Sequence, residues 1–478
     1  MNEEFIEFVS IQLIKNKKEA LYVQLYEQLR ELIIEGKLSK GYLLPAVRKF
    51  AEFLGINTGT VVSAYRELEK NGYIFSRAGS GSYVAEREEN AEVEATVEDG
   101  SEFEPLENVK ASEVEACINL ASIALNPDLI SVEAIKNVIM EVLERDQGYA
   151  FGYQDSQGFY PLRESIARDL KTHGVEASAQ NVQIISGAQQ GIDIVARALL
   201  TYGDYVFTEK PTYPGAIAAF RSRGAKIISV TMEEDGIDID DLEEKLRRFR
   251  PKLLYVMPNI QNPTGCSYSI EKRNRLMGLA RYYGVIILED DYISELYYTK
   301  EPMAPLKAID RDHRVIYLKS FSKIFMPGLR LAFLTMPPNL AGKLLAVKHT
   351  ADISTSGLTQ RAFDLYLRKG IWHDHISVIR KLYRERFEVT LSALRVSMPD
   401  SIKCTKPSGG LSVWLTLPTE LSAKKVVELA RQDKVLLTEG NVFFPYQAID
   451  RYIRISFATA TLDEIQRGIA SVGKAMKK

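Results

Sequence analysis

The chain has 478 residues, 46% of them hydrophobic and 26% charged, and a net charge of −2. That length allows about three domains and a large core, and so balanced a charge excludes a global field for nucleic acid or membranes, leaving only local patches. Cys117, Cys266 and Cys404 lie far apart, which gives neither a disulfide framework nor a metal cluster and fits a reducing cytoplasm. The start Met1-Asn2-Glu3-Glu4 is acidic where a secretory leader would be basic. Apolar runs such as Val285 to Leu288 are strand-length, so no membrane span is expected. His373 and His375 sit two apart in a predicted helix, where side chains do not converge on a metal.

Residues 19 to 85 read as helix, helix, turn, helix and hairpin. Pro45 is expected to open a helix as its first residue and Gly55 to close it. Asn57 then caps a second helix whose apolar positions Val61, Tyr65 and Leu68 repeat at helical spacing, and Gly72 ends it. This puts Thr58, Gly59, Thr60, Ser63 and Arg66 at the N-terminus and on the outer face, the geometry of a recognition helix in a major groove. Tyr73 to Val84 reads as two strands around Gly79-Ser80-Gly81, whose glycines let backbone approach a phosphate or minor groove. From Lys37 to Val84 the chain carries seven Lys/Arg against three Glu, enough for phosphate contacts by a dimer.

From Glu86 to Glu115 the chain turns acidic and loses any hydrophobic period, the composition of a solvated linker. Beyond Cys117, strand-like runs (Val182 to Ser186, Asp204 to Thr208, Lys226 to Thr231, Lys252 to Met257, Val285 to Glu289, Arg314 to Leu318) alternate with amphipathic helices. The helices are expected over Gln189 to Leu200, Asp240 to Phe249 and Ile270 to Tyr283. Such alternation predicts an α/β fold with a mainly parallel sheet covered by helices and right-handed crossovers. A long helical pattern from His373 to Val396 and a smaller α+β lobe from about residue 400 complete the chain.

Several segments of this body carry chemistry. Ser320-Phe321-Ser322-Lys323 places a lysine beside hydroxyl groups, with Arg330 one loop later and Asp290 upstream at a strand end. Pyridoxal phosphate needs such a set: a lysine for its Schiff base, cations and hydroxyls for its phosphate, and an acid beside its ring nitrogen. Ser186-Gly187-Ala188-Gln189 lies where a strand passes into a helix, so backbone N–H groups and the helix dipole can hold a phosphate. Tyr213 is suited to stacking on a pyridine ring, and the Asn262-Pro263-Thr264-Gly265 turn presents an amide to a phenolate oxygen.

The stretch from Leu21 to Val84 resembles the winged helix-turn-helix of the GntR regulators. Leu44-Pro45-Ala46-Val47-Arg48, Gly55 to Val61 and Gly72-Tyr73 to Gly81 carry the match. The resemblance implies that Arg48 contacts the DNA backbone or a guanine, that Thr60 meets a phosphate, and that Gly79, Ser80 and Gly81 enter the groove. Many members have arginine where Thr58 stands, a departure that bears on affinity and base choice. The body, from about Asn119, resembles fold-type-I, class I pyridoxal-phosphate aminotransferases. By that resemblance Lys323 forms the internal aldimine, Asp290 pairs with the pyridinium, Tyr292 and Asn262 hold the 3-hydroxyl oxygen, and Tyr213 stacks on the ring. Gly187, Ala188, Gln189, Ser320, Ser322 and Arg330 would grip the phosphate, Tyr153 would reach it from a partner subunit, and Arg454 would take the substrate carboxylate.

Together these parts resemble the MocR type of regulators. The layout implies residues 1–85 as a DNA-binding head, 86–116 as a linker and 117–478 as an aminotransferase-like body with its small lobe at about 400–478. It also implies a cytoplasmic, domain-swapped homodimer that binds double-stranded operator DNA and senses an amino acid or amine. A working aminotransferase with an accessory head is the alternative. GABA-responsive members carry an arginine two residues after the stacking tyrosine, where this chain has Gly215. Many MocR-type regulators have an aromatic residue where this chain, like the aminotransferases, has asparagine, at Asn262.

Overall fold

The computed structural model describes residues 20–34, 41–70, 73–77, 81–85, 117–299, 303–446 and 449–477, with short stretches at 7–9, 11, 13–14 and 37–39. The chain divides into an N-terminal unit and a larger C-terminal unit. No helix among the described residues is long and apolar enough to cross a membrane.

In the N-terminal unit, α1 (Leu21–Ile34), α2 (Val47–Leu54) and α3 (Thr58–Lys70) precede an antiparallel hairpin of β1 (Ile74–Arg77) and β2 (Gly81–Val84). The helical spacing of Val61, Tyr65 and Leu68 has its expected result: all three are buried, in a core with Leu25, Leu29, Phe50, Ile74 and Val84. Gly55 closes α2 in the left-handed region (φ 62°), and Asn57 caps α3 by accepting from the Gly59 N–H at 2.8 Å. Pro45 does not open α2. Its carbonyl accepts from the Tyr65 hydroxyl at 2.8 Å, and Ala46 stays extended as the N-cap, so the helix starts at Val47. Gly72, Gly79 and Ser80 lie outside the described residues.

The C-terminal unit opens with β3 (Ile118–Asn119) and is built on an eight-stranded sheet. Its strands are β4 (Val182–Ile185), β5 (Tyr205–Lys210), β6 (Lys226–Glu233), β7 (Gly236–Ile237), β8 (Leu253–Val256), β9 (Ile286–Asp291), β10 (Val315–Ser320) and β11 (Ala332–Thr335). Their order is β4-β11-β10-β9-β8-β5-β6-β7. The pairs β10/β9, β9/β8, β8/β5 and β5/β6 are parallel, whereas β11 runs antiparallel to both its neighbours and β7 to β6. β4, β8 and β10 are buried along their whole length, which matches their near-continuous apolar sequences. Helices Ala188–Leu199, Ile270–Tyr283 and Ile371–Ser397 lie where amphipathic periodicity puts them, the second with the expected bounds. Strands β12 (Lys403–Cys404), β13 (Ser412–Thr416), β15 (Thr438–Glu439) and β16 (Tyr452–Ser456) form a second, four-stranded sheet, while β14 (Val435–Leu436) pairs with β3. His375 packs among aromatic rings and donates to the Ile324 carbonyl at 2.8 Å.

Leu68 is fully buried in the small N-terminal core. Leu68→Ala is expected to destabilise this unit by about 2–5 kcal/mol, a large part of the roughly 5–15 kcal/mol that holds a domain together. Urea unfolding followed by the tyrosine signal of this unit's transition checks it.

Candidate active site at the carboxyl edge of the sheet

Strand register alone brings most of the chemistry to one edge. Leu318 pairs with Asp290 and Lys319 with Asp291 in parallel, so Tyr292 and the turn carrying Ser322 and Lys323 emerge side by side. Ser320 pairs with Ala332, which returns Arg330 to the same edge, and Ala332 pairs with Ile185, which adds Ser186, Gly187 and Ala188. Thr208 pairs with Tyr255, and Val256 with Glu289, so the loops after β5 and β8, with Tyr213 and Asn262, also open there. This edge, outside the carboxyl ends of parallel strands, is where α/β sheets bind ligands.

Asp290 is buried, and its Oδ2 accepts from the Tyr255 hydroxyl at 2.6 Å. Its Oδ1 is buried with no hydrogen-bond partner among the described residues. Burial pushes this carboxyl up to about 7, against the opposing pull of the Tyr255 bond. The neighbouring acid is treated differently. Asp291 accepts from Lys319, Tyr317 and Ser294, and those contacts hold it below the usual carboxylate range although it is buried. Tyr292 is half-buried; burial raises its phenol, while Arg454 pulls the other way.

At the start of helix Ala188–Leu199, Gly187 has φ 95° and ψ 161°, and a Cβ there would collide with the Arg330 guanidinium. Only glycine permits both the dihedrals and the approach. Arg330, itself left-handed at φ 52°, donates to the Ser186 carbonyl at 3.2 Å. A cation thus lies against the helix N-terminus, whose first N–H groups have no acceptor within the helix. Ser320 is buried and its hydroxyl accepts from the Ser322 N–H at 3.3 Å. Lys323 is half-buried in that turn. Gln189 donates to the Gly215 carbonyl at 2.8 Å. A Cβ on Gly215 would collide with Gln189 and the Tyr213 ring, so a side chain there would need both to shift.

Arg454 comes from β16 in the second sheet and is buried. Its guanidinium donates to Asn262 Oδ1 at 3.3 Å, to the Ala121 carbonyl at 2.9 Å and to Thr438 at 3.3 Å, and it lies 5.0 Å from the Phe443 ring centroid. Asn262 is buried in a loop anchored by Glu209, which accepts from the Met257 N–H, the Tyr268 hydroxyl and the Gln261 amide at 2.6–3.0 Å. Burial pushes Glu209 up to about 7, against those same bonds. Tyr153 stands apart, 87% exposed beside Tyr149 and Arg361. Tyr255 and Glu209 escaped the reading of the sequence. Each looks like ordinary strand interior, although Tyr255, paired with Leu288, falls on the same face as Asp290 two residues on.

In the N-terminal unit Arg48, Thr58 and Arg66 are exposed or partly so, and Thr60 is half-buried. Gly81 is exposed, with φ 117°.

Residues 116–472 match the model of the aminotransferase class I and II family. The chain belongs to that family. Residues 21–84 match the bacterial regulatory proteins of the gntR family, so a gntR-type helix-turn-helix domain is fused to an aminotransferase domain. The chain is 32% identical to the probable rhizopine catabolism regulatory protein MocR of Rhizobium meliloti, over 82% of this chain and 81% of that one. It is 28% identical to the uncharacterized HTH-type transcriptional regulator YdfD of Bacillus subtilis, over 97% of this chain and 98% of the relative. The kynurenine aminotransferase of Pyrococcus horikoshii, solved in complex with PMP and kynurenine, superposes with a TM-score of 0.74 at 34% identity, covering 76% of this chain and 92% of that one. Membership of the aminotransferase family implies dependence on pyridoxal phosphate.

The raised Asp290 carboxyl predicts a pH effect whose sign is fixed. An acid whose folded value, about 7, lies above its unfolded value of 3.8 favours the folded state at low pH. That contribution is lost as pH rises from about 4 to 7. In cofactor-free protein, the melting temperature of Asp290→Asn relative to the parent should therefore rise between about pH 4 and 7 and level off above. Calorimetric melts of both proteins across that range check it.

Proposed function

We propose that this protein is a DNA-binding transcription regulator whose aminotransferase-type body binds pyridoxal phosphate and reads an amino acid or amine there. The observation that carries the cofactor reading is the buried Oδ1 of Asp290, without a partner among the described residues, at an edge that also holds Lys323 and the Arg330–Gly187 cradle. A buried acceptor without a partner costs about 1–3 kcal/mol, and a protonated ring nitrogen is the group that would satisfy it. When bound, pyridoxal phosphate supplies an aldehyde carbon open to amines and an electron-withdrawing ring.

Each residue then has a task. Asp290 holds a negative charge against the ring nitrogen, and Tyr255 fixes its other oxygen. Gly187, Ala188 and Gln189 offer backbone N–H groups to the phosphate, with Arg330, Ser320 and Ser322 around it. Tyr213 would cover the ring face, while Asn262 and Tyr292 would serve the 3-oxygen. Lys323 would supply the amine that holds the aldehyde carbon, and the same amine is the group that would move a proton at the ligand Cα. Arg454 takes a carboxylate of the ligand through its fork. The exposure of Tyr153 supports a role across a homodimer, in which it meets the partner's phosphate.

In the head, Arg48, Thr58 and Thr60 contact operator DNA from α2 and the first turn of α3, and Gly79, Ser80 and Gly81 add contacts to the groove. A regulator of this kind works in the cytoplasm, where the operator is. The domain bounds follow as 1–85, 86–116 and 117–478, with the small lobe from about 400. A second reading, a working aminotransferase, is favoured by one observation: Asn262 is an amide, already bonded to Arg454, where a pure sensor has less need of it.

Borohydride reduction of the yellow purified protein is expected to fix the cofactor to Lys323, read by peptide mass, with the label lost in Lys323→Ala. In the same preparation, single-turnover spectra with a panel of amino acids should reveal slow conversion to the pyridoxamine form together with a keto acid. Spectral change without any keto acid would leave the sensor alone. For the head, Arg48→Ala should weaken operator binding and make the logarithmic salt dependence shallower by about one unit. Should Arg48 instead read a guanine, the loss would concentrate at one base pair, roughly 1–3 kcal/mol. Fluorescence anisotropy at several salt concentrations separates these, and absence of binding to DNA upstream of its own operon at low salt would count against regulation.

A further inference from the structure

Helix Ala341–Asp352 ends in two local violations. Asp352 places a carboxylate in the last turn, against the negative end of the helix dipole. The next residue, Ile353, is β-branched and 49% exposed, yet has φ 61° and ψ −62°. The Ser354 N–H donates to the Asp352 carbonyl at 2.6 Å across it, which makes a γ-turn of the rare, positive-φ kind. A β-branched residue there is strained, and its exposed side chain recovers little by packing. Broken local rules of this sort mark places where structure serves a site.

The strain delivers Asp352 to the phosphate cradle. Asp352 Oδ2 accepts from the Ser186 hydroxyl at 3.1 Å and from the Gln190 amide at 2.8 Å. With its N–H₂ turned to Asp352, Gln190 presents Oε1 to the Ser186 N–H at 2.7 Å. The Ser186 carbonyl accepts from Arg330. Every polar group of Ser186 is thereby committed, and the chain leaves it into Gly187 in one direction. Lys348, fully buried one turn earlier, forms an ion pair with Asp352 and neutralises it, so the cradle gains an orienting acceptor without a net negative charge near the anion. Just past the turn, Ser354 accepts from the Gln154 N–H at 3.4 Å, beside Tyr153.

We propose that Asp352 is a positioning residue for the phosphate cradle. Through Ser186 and Gln190 it aims the N–H groups of Gly187, Ala188 and Gln189, together with Arg330, at a phosphate monoester. This rests on the pyridoxal phosphate reading given above. The test titrates full-length protein stripped of cofactor with pyridoxal 5′-phosphate and, separately, with pyridoxal, which lacks the phosphate. If the parent protein fails to prefer the phosphate ester, the cradle reading itself is wrong. Given that preference, Asp352→Asn is expected to bind the phosphate ester roughly tenfold or more weakly, with pyridoxal unchanged within about twofold. A merely structural role would weaken both ligands alike; equal losses, or an unaltered preference, overturn the proposal. Asp352→Asn leaves Lys348 buried without its carboxylate, so if that variant does not fold, Gln190→Met decides instead. That variant strands no charge and should show the same selective loss; equal losses there overturn the proposal as well.

Discussion

Strands β9 and β10 run parallel, with Leu318 beside Asp290 and Lys319 beside Asp291, and this register places the chemistry of the sheet edge. Pairing Leu318 with Asp290 fixes, by the length of two strands alone, where the acid, the phenol of Tyr292 and the Lys323 turn emerge. A one-residue slip would turn every side chain of the strand to the other face and bring Asp291 to the position of Asp290. The slip is disfavoured because Asp291 is already committed on the opposite face to Lys319, Tyr317 and Ser294. Two adjacent buried acids are thus distinguished by partners: one saturated and held ionised, the other raised to about 7 with an oxygen to spare.

Around this register the surroundings are arranged as supports. Glu209 anchors the loop that carries Asn262, and Asn262 meets Arg454, which arrives from a different sheet. Arg330 closes over Gly187, where any side chain would exclude it. These contacts join segments distant in the sequence, so the site exists only when both sheets of the C-terminal unit are formed. Arg454 also bonds the Ala121 carbonyl, beside the β3 strand that pairs with β14, so the start of the body is tied to the same guanidinium.

The N-terminal unit rests on simpler physics. A short helical period buries Val61, Tyr65 and Leu68 and leaves Thr58 and Arg66 facing solvent. With a near-neutral chain as a whole, local cations such as Arg66 are what a nucleic-acid backbone would meet. Fusion of this unit to an aminotransferase domain, matched along nearly the full length of a Bacillus subtilis relative, puts a gntR-type helix-turn-helix domain and an aminotransferase domain in one chain.

The alternation of apolar runs and amphipathic helices was sufficient to read the α/β class, and caps such as Gly55 and Asn57 were legible because they act within a few residues. Motif residues such as Lys323, Asp290 and Gly187 could be named for the same reason: their chemistry is carried by residue type and near neighbours. Pro45 misled, because its carbonyl is claimed by Tyr65 twenty residues on, a contact no local rule contains. The antiparallel insertion of β11 between β4 and β10, the bond from Tyr255 to Asp290, and the convergence of Asp352 on Ser186 were likewise invisible. Which chemical groups are present, and which segments coil or extend, is written in residue type and periodicity. Which of those groups face each other, and which oxygen is left without a donor among the described residues, came from the folded chain, because burial and long-range register arise only on packing.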